Sequence, residues 1–269
     1  MVRKLASLAA LAVLVAGCGG GGHAAPTTTI RQLHQFRVVF PEGFTRAQMA
    51  QRVQAVAKIA HRERHVHPKI SAKSYLAASG PRRIPGFGSQ KVALEGFLFP
   101  STYDFDRKTS SAELVQDQLA AFQTNFGNVD LAYARSKNLT PYDVLKIASI
   151  VEREAVVPSE RKLVAAVIYN RLHLRMPLGM DSTIRYGLHV PGTEPLLQSE
   201  LDSDNPYNTR KFLGLPPTPI ANPGLASIEA AAHPAHVDYL YFVRKPDHRH
   251  HYFTSNYQDF VNHEHLYGY

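Results

Sequence analysis

The chain has 269 residues, of which 44% are hydrophobic and 19% are charged, and its formal net charge is +8. This composition is typical of a globular protein, and it argues against a disordered chain or a bundle of membrane-spanning helices. The length suffices for one large domain or two modest ones with a sizeable core. The positive charge favours an anionic membrane surface or an acidic cell-wall polymer as partner. We expect no nucleic-acid partner, because the chain carries no recognised nucleic-acid-binding motif.

The N-terminus carries a targeting signal. Two basic residues, Arg3 and Lys4, precede an apolar run over residues 5–17 that is too short to span a bilayer. This arrangement is typical of a secretory signal peptide. We therefore interpret residues 1–17 as a signal peptide of the lipoprotein type.

The signal ends in Leu-Val-Ala-Gly-Cys, which resembles a bacterial lipobox, and Cys18 is the only cysteine of the chain. We expect a lipid attached to Cys18 to anchor the mature chain to the outer face of the cytoplasmic membrane, in the cell envelope. The alternative is an ordinary signal peptide in which Cys18 is incidental. Residues 18–35, rich in Gly, Thr and Ala, are predicted to form a flexible linker after the lipidated cysteine.

The rest of the chain divides into two predicted parts, residues 36–88 and residues 89–269. In the first part, FRVVF predicts a short strand, Thr45 a cap for one helix and Ser71 a cap for a second. The Pro- and Gly-rich stretch over residues 81–90 marks the boundary. Together these patterns predict an α+β fold, in which a small module precedes a mixed helical domain with a small β-sheet.

The second part is predicted to be mainly helical. Helical periodicity covers residues 112–126, and two later helices begin at caps provided by Thr140 and Ser159. Residues 178–223 are predicted to be mostly irregular, and they hold Tyr, Asn, Thr and Asp side chains of the kind that binds sugar hydroxyl groups. After a further helix, DYLYFV is predicted to form a hairpin with the strand around His251, and a last helix closes the chain.

The helix over residues 140–155 is the best-defined element. Thr140, Pro141 and Asp143 fit the cap, the first helical position and the acid of a capping box. Its apolar residues share one face, and at about 100° per residue Glu152 lies on the same arc. A carboxyl group there is costly unless paired, and burial would keep it protonated nearer neutral pH, as a general acid requires. The structural alternative is that Glu152 pairs with a buried arginine or caps a neighbouring turn.

Two groups of histidines are candidate metal ligands. His61 and His65 are four residues apart, and His248, His250 and His251 cluster near the C-terminus. Neither group provides a full ligand set, because open metal sites need three protein ligands and closed sites need four. We expect no metal and no cofactor.

A series of motifs then appears in one order along the chain: LEGFLFPSTY, ASIVERE, VIYNRL, MPLGMDSTIRYG, NPYNT, GLPPTPIANPGLASIEAAAHPA and DYLYFV, with a closing His-x-Phe at His251 and Phe253. This series resembles the MltG/YceG-like family of endolytic murein transglycosylases and covers residues 94–269. FPEGFT and the helix behind it are similar to the small LysM-like module of that family. The resemblance thus implies a LysM-like module at 36–88 and a YceG-like catalytic domain at 89–269.

The resemblance implies cleavage of the β-1,4 bond between N-acetylmuramic acid and N-acetylglucosamine within peptidoglycan strands. The catalytic residue of the family is the first glutamate of ASIVExE, which is Glu152 here. Glu152 would donate a proton to the bridging oxygen and then accept the proton of the muramoyl C6 hydroxyl, which attacks C1 and closes a 1,6-anhydro ring. The reaction would terminate or trim nascent strands.

The matched motifs also imply residues that bind substrate. We expect Glu95 to shape the site by holding the loop or Glu152, and the alternative is an acid that caps the turn before Gly96. The others expected to bind substrate are Asn170, Asp181, Thr183, Tyr186, Tyr207, Asn208 and Thr209, with packing as the alternative for the two tyrosines. The chain departs from the family in two ways: Ser182 replaces the usual proline of Asp-Pro-Thr, which should loosen that loop, and a lipobox replaces the usual N-terminal transmembrane helix.

Two other functions stay open. A peptidoglycan glycoside hydrolase would need a second carboxylate near the sugar, for which Glu95, Glu154 and Asp181 are the candidates. A non-catalytic peptidoglycan-binding lipoprotein would use the LysM-like module for affinity. The partners expected in each case are peptidoglycan strands, peptidoglycan synthases or division proteins, and the membrane through the lipid anchor.

Overall fold

A computed structural model describes residues 35–269, which fold mainly into helices with two small two-stranded sheets. The predicted mixed α+β class is therefore observed. The predicted signal peptide, the predicted lipid-attachment residue Cys18 and the predicted linker up to residue 34 lie outside the described residues. Of the residues described, none belongs to a helix both long and apolar enough to cross a membrane.

The helices and strands follow one another in this order: β1 (Phe36–Val39), α1 (Arg46–Arg64), α2 (Ala72–Ala78), β2 (Thr102–Phe105), α3 (Ser111–Gly127), α4 (Ala132–Ser136), α5 (Pro141–Glu154), α6 (Arg161–His173), α7 (Asp181–Leu188), α8 (Gln198–Leu201), α9 (Leu225–Ala232), β3 (Tyr241–Arg244), β4 (His251–Thr254) and α10 (Tyr257–Tyr267).

The first sheet joins two distant stretches of sequence. β1 pairs antiparallel with β2, with Phe36 opposite Phe105 and Val39 opposite Thr102. β2 lies at the end of LEGFLFPSTY, where no strand was predicted. The pairing crosses the predicted boundary between residues 88 and 89, and residues His34–Tyr269 form one compact unit. The division into 36–88 and 89–269 stays a prediction.

Helix α5 lies at the centre of the core and packs against α6, α7 and α9. The predicted capping box at its start is confirmed: Asp143 N donates to Thr140 Oγ1 over 3.2 Å, and Thr140 N donates to Asp143 Oδ2 over 3.0 Å. The residues of its predicted apolar face are all buried: Val144, Leu145, Ile147, Ala148, Val151 and Ala155. Removal of these side chains from water is the main favourable term that fixes the helix in place.

One prediction along the chain is wrong. Ser159 does not cap α6, because it lies inside a 3₁₀ turn, Pro158–Glu160, and no side chain caps the start of α6. Residues 178–223 are mostly irregular, as predicted, although they contain two short helices, α7 and α8, that the sequence did not indicate. α7 holds β-branched and polar residues with modest helix propensity, and burial of its Thr183 and Ile184 in the core outweighs that propensity.

The C-terminal hairpin is as predicted. β3 pairs antiparallel with β4, and Tyr241 lies opposite Thr254. Glu160 fixes this hairpin to the start of α6, since its carboxyl group accepts the backbone N–H of His251 over 3.0 Å and lies 2.8 Å from His251 Nδ1.

Gly96 is required by the turn between the buried Leu94 and Leu98. Its φ of +88° lies in the left-handed region, and a Cβ atom there would lie 2.7 Å from the side chain of Pro219. We expect Gly96→Ala to lower the free energy of unfolding by about 2 to 4 kcal/mol, because backbone strain adds to the clash. Urea denaturation followed by circular dichroism would measure this.

Gly127→Ala is the matched control. Gly127 ends α3 without a positive φ, and a Cβ atom there meets nothing within 4 Å. This variant should be as stable as the wild type or gain up to about 1 kcal/mol. Equal effects of the two substitutions would contradict the role given to the Gly96 turn.

Candidate active site

The buried side chain of Asn222 joins three segments of the chain. Its Oδ1 accepts the backbone N–H groups of Gly96 and Leu98 over 2.9 and 3.0 Å. Its Nδ2 donates to Phe44 O and to Glu95 Oε1, each over 2.9 Å. One amide group therefore holds the turn before α1, the LEGFLF segment and the loop before α9 in fixed relation.

The same loop is bound to α5. Ile220 N donates to Ser149 Oγ over 3.0 Å, and Gly224 N donates to Glu152 Oε2 over 3.0 Å. Gly224 directly precedes α9, so the carboxyl group of Glu152 lies at the N-terminal end of that helix. Backbone N–H groups and the helix dipole at such an end stabilise a negative charge.

Glu152 is half-buried at the C-terminal end of α5. It makes no ion pair with a lysine, arginine or histidine of the described part of the chain. Of the two structural alternatives, pairing with a buried arginine is thus not observed. The hydrogen bond from Gly224 N–H to Glu152 Oε2 corresponds to the second alternative, the capping of a neighbouring turn. This bond involves only one of the two carboxyl oxygens.

A second carboxyl group, that of Glu42, lies beside Glu152. Glu42 belongs to the turn between β1 and α1, and its carboxyl group packs so closely on Gly224 that a Cβ atom at 224 would overlap it. Burial raises the pKa of Glu42, the negative charge of Glu152 raises it further, and Arg161 acts in the opposite direction. The sequence signal for this residue is modest: an acid in a Pro-Glu-Gly turn directly after a strand.

Glu95 is buried, and both of its carboxyl oxygens accept hydrogen bonds. It accepts hydrogen bonds from the backbone N–H of Arg46, at the start of α1, from Asn222 Nδ2 and from the Tyr186 hydroxyl. Burial raises its pKa to about 7, although these three donors oppose the shift. The geometry is that of a residue which holds the loop, and it supports the predicted site-shaping role over a second catalyst.

The two predicted tyrosines lie together. Their rings meet edge to face with centroids 5.1 Å apart. Tyr186 donates to Glu95 Oε2 over 3.1 Å, and the Tyr207 hydroxyl lies 2.8 Å from Thr218 Oγ1. Burial and the charge of Glu95 raise the pKa of Tyr186. Both rings remain partly exposed, so they can take part in sugar binding as well as in packing.

Three predicted substrate-binding residues are instead buried with internal hydrogen bonds. Thr183 Oγ1 donates to Met180 O over 2.7 Å and lies 2.9 Å from Thr209 Oγ1. Asn208 donates from Nδ2 to Leu201 O and also to Ser203 O, and its Oδ1 accepts a further backbone N–H. These side chains satisfy the backbone of their own loop, which does not favour direct contact with substrate.

The other two predicted residues bond elsewhere. Asp181 forms an exposed ion pair with Arg210 at 2.7 Å. Asn170 donates to the backbone carbonyl groups of Val237 and Tyr239, each over 2.9 Å, and lines a surface cavity of about 530 Å³. Neither residue contacts Glu152 or Glu42. Within residues 35–269, no three His, Cys, Asp or Glu side chains are arranged to hold a metal ion.

Glu95 should make stability depend on pH. Its pKa is about 7 in the folded protein against an ordinary value of 4.5, so the folded state binds the proton more tightly. The stability that this proton contributes is present at low pH and is lost as pH rises through that window. Relative to Glu95→Gln, the wild type should lose roughly 3 kcal/mol of unfolding free energy between about pH 4 and pH 8. Parallel stability curves of the two proteins over this range, measured with urea, would contradict the assignment.

Known proteins resemble this chain over most of its length. A crystal structure of a YceG-like protein from Listeria monocytogenes superposes with a TM-score of 0.66 and 30% sequence identity, covering 84% of this chain and 74% of that one. The endolytic murein transglycosylase of Bacillus subtilis is 39% identical over 157 residues, which are 58% of this chain and 43% of that protein.

The endolytic murein transglycosylase of Streptococcus pneumoniae is 33% identical over 241 residues, which are 82% of this chain and 43% of that protein. The chain thus spans less than half the length of these two curated relatives. The sequence pattern of the YceG-like family matches residues 21–265. With a match of this length, the chain belongs to the YceG-like family.

Proposed function

We propose that this chain is an endolytic murein transglycosylase, which cleaves the bond between N-acetylmuramic acid and N-acetylglucosamine within peptidoglycan strands and leaves 1,6-anhydro ends. The observation that carries the proposal is the carboxyl group of Glu152, half-buried at the end of a rigid helix and, among residues 35–269, hydrogen-bonded only to the backbone of Gly224. The names of the relatives from Bacillus subtilis and Streptococcus pneumoniae support the same activity.

The chemistry needs one carboxyl group that acts twice. Glu152 donates its proton to the bridging oxygen as the bond to C1 breaks and positive charge develops on the muramoyl ring. The carboxylate that remains is stabilised by Gly224 N–H and by the start of α9. It then accepts the proton of the C6 hydroxyl as O6 bonds to C1. No water enters the reaction.

A glycoside hydrolase is the second candidate, and the proximity of Glu42 to Glu152 is the observation that favours it, because hydrolases of this kind use two carboxyl groups. Two of the three second carboxylates suggested by the sequence are less suitable: Glu95 is buried in internal bonds, and Asp181 is paired with Arg210. The product ends distinguish the two reactions, since a hydrolase leaves reducing ends and no anhydro ends.

We further propose that residues 36–88 act as a LysM-like module and that a lipid at Cys18 anchors the chain in the cell envelope. Peptidoglycan synthases or division proteins are the proposed protein partners. The lipid anchor rests on the lipobox sequence and on the basic, apolar segment before it.

Glu152→Gln should abolish cleavage and leave glycan binding intact. General acid–base catalysis contributes roughly 10²- to 10⁴-fold, so a loss of at least about 10²-fold in the rate of appearance of anhydro ends is expected. The full chain in detergent is incubated with purified uncrosslinked glycan, and the ends are determined by mass spectrometry.

Glu63→Gln is the control, because Glu63 is an exposed residue of α1 that pairs with the adjacent Arg62. It should cleave as the wild type does. Unchanged cleavage in Glu152→Gln would refute the assignment of Glu152, and a wild type that binds glycan without cutting it would favour the non-catalytic lipoprotein.

A further inference from the structure

A surface cavity of about 530 Å³ lies against α6, and its walls come from α4, α6 and the loop between α9 and β3. Neither Glu152 nor Gly224 lines it. Gly224, bonded to Glu152, directly precedes α9. The last turn of the same helix holds Ala231, whose carbonyl group accepts the hydroxyl of the cavity residue Tyr169 over 2.8 Å. At a rise of about 1.5 Å per residue, roughly 10 Å of helix axis separates the cavity from the candidate active site.

The loop that forms one wall of the cavity is held to α6 by three hydrogen bonds. Ala235 N donates to Lys162 O over 3.0 Å, at the start of the helix. Further along the helix, Nδ2 of Asn170 donates to Val237 O and to Tyr239 O, each over 2.9 Å. The cavity is therefore preformed. A ligand that enters it would not have to order the loop, which lowers the free-energy cost of binding.

Aromatic rings form much of the lining. The ring centroids of Tyr133 in α4 and Tyr169 in α6 are 5.6 Å apart, and the ring of His236 meets that of Tyr133 edge to face at 5.7 Å. Tyr239 adds a fourth ring from the loop. The hydroxyl of Tyr169 is used inside the protein, so this residue contributes ring surface alone. Tyrosine side chains give a ligand a large, rigid contact surface at a low cost in conformational entropy.

The side-chain oxygens at the cavity remain available as hydrogen-bond acceptors. Asn170 uses both hydrogens of its amide group on the loop, whereas its Oδ1 accepts no hydrogen bond from the described residues. Asp238 is exposed and forms no ion pair within residues 35–269. Asn208 and Thr209 differ in this respect, because their side chains bond to their own loop. The cavity thus combines free oxygen acceptors with aromatic rings.

This combination suits a neutral N-acetylated sugar. The hydroxyl and acetamido N–H groups of such a sugar are donors for the oxygen acceptors, and the C–H groups on its ring faces pack on aromatic rings. Lys137 lies over the ring of Tyr133, and the unpaired carboxylate of Asp238 disfavours an anionic ligand. In a peptidoglycan strand the neutral unit is N-acetylglucosamine, because N-acetylmuramic acid carries a lactyl carboxyl group or the peptide joined to it.

We propose that the cavity is a second glycan-binding site, which holds an N-acetylglucosamine unit of a peptidoglycan strand away from the bond that is cleaved. This inference rests on the proposed function for the identity of the glycan. Asp238 and Asn170 accept hydrogen bonds from the sugar, and Tyr133 packs against its ring. A sugar bound here takes no part in the chemistry. It tethers the strand and raises the effective concentration of the scissile bond at Glu152.

The first test is the binding of chitotetraose, a neutral β-1,4-linked oligosaccharide of N-acetylglucosamine, to the full chain in detergent. Ala235→Trp fills the cavity with a large side chain and keeps the backbone hydrogen bond to Lys162. Asp238→Ala removes one acceptor at an exposed position, so it tests the site even if Ala235→Trp folds poorly. Titration calorimetry should show binding that is weaker by about tenfold or more in each variant.

Matched controls carry the same chemical changes on another face of the protein. Ala112 and Asp117 are exposed residues of α3 and do not line the cavity. Ala112→Trp and Asp117→Ala should bind chitotetraose as the wild type does. Equal affinities in the wild type, the two cavity variants and the two controls would overturn the proposal.

Nuclear magnetic resonance locates the bound sugar without reference to activity. The imidazole C–H resonance of His236, identified by its absence in His236→Ala, should shift when chitotetraose is added to the full chain. Ala235→Trp should abolish this shift. Binding that leaves the His236 resonance unmoved would place the sugar elsewhere, such as on the proposed LysM-like module, and would refute the cavity site.

Kinetics with uncrosslinked glycan separate tethering from chemistry. Asp238→Ala should raise KM several-fold and leave kcat unchanged, because it removes binding that is equal in the ground state and the transition state. A lower kcat with an unchanged KM would contradict the tethering role. A wild type that binds chitotetraose in the cavity but makes no anhydro ends would support the cavity site and refute the proposed function instead.

Discussion

The side-chain amide of Asn222 bonds four groups from two distant segments, and the whole site depends on it. Both lone pairs of its oxygen and both hydrogens of its nitrogen are used, so the group is fully satisfied although it is buried. An apolar residue in its place would leave buried backbone groups unpaired, at about 1 to 3 kcal/mol each. Because Gly224 is only two residues further along, its position relative to the turn of Glu42 is set by the same bonds.

The site thereby combines a rigid element with elements that are held by polar bonds. Glu152 stands at the end of α5, whose apolar face is fully buried, and its position follows from packing. Glu42 and Gly224 stand on irregular backbone, and their position follows from hydrogen bonds. The carboxyl groups of Glu95 and Glu152 also differ in how many internal hydrogen bonds they accept. Both carboxyl oxygens of Glu95 accept hydrogen bonds from donors inside the protein. Glu152 accepts one backbone N–H, and part of its side chain remains exposed.

The sequence was sufficient for most local features, although the cap predicted at Ser159 is not observed. Capping residues such as Thr45 and Thr140, the apolar face of α5 and the hairpin near His251 depend on neighbours a few residues away, and each is observed. The strand β2 was missed because its partner lies more than sixty residues earlier in the chain. The same reason applies to Glu42: its place beside Glu152 results from the bonds of Asn222, which no local pattern records.

Residue chemistry alone was also a poor guide within the loop of residues 178–223. Asparagine and threonine side chains bind sugars in many proteins. Here Asn208 and Thr209 form hydrogen bonds with the backbone around them instead. Irregular backbone leaves N–H and C=O groups without regular partners, and where such a loop is buried, its polar side chains are needed to pair them. Side chains used in this way have little capacity left for a ligand. In the candidate site, the carboxyl groups of Glu42 and Glu152 are held in place but are not consumed by internal bonds, which is the condition that the proposed chemistry at a sugar bond requires.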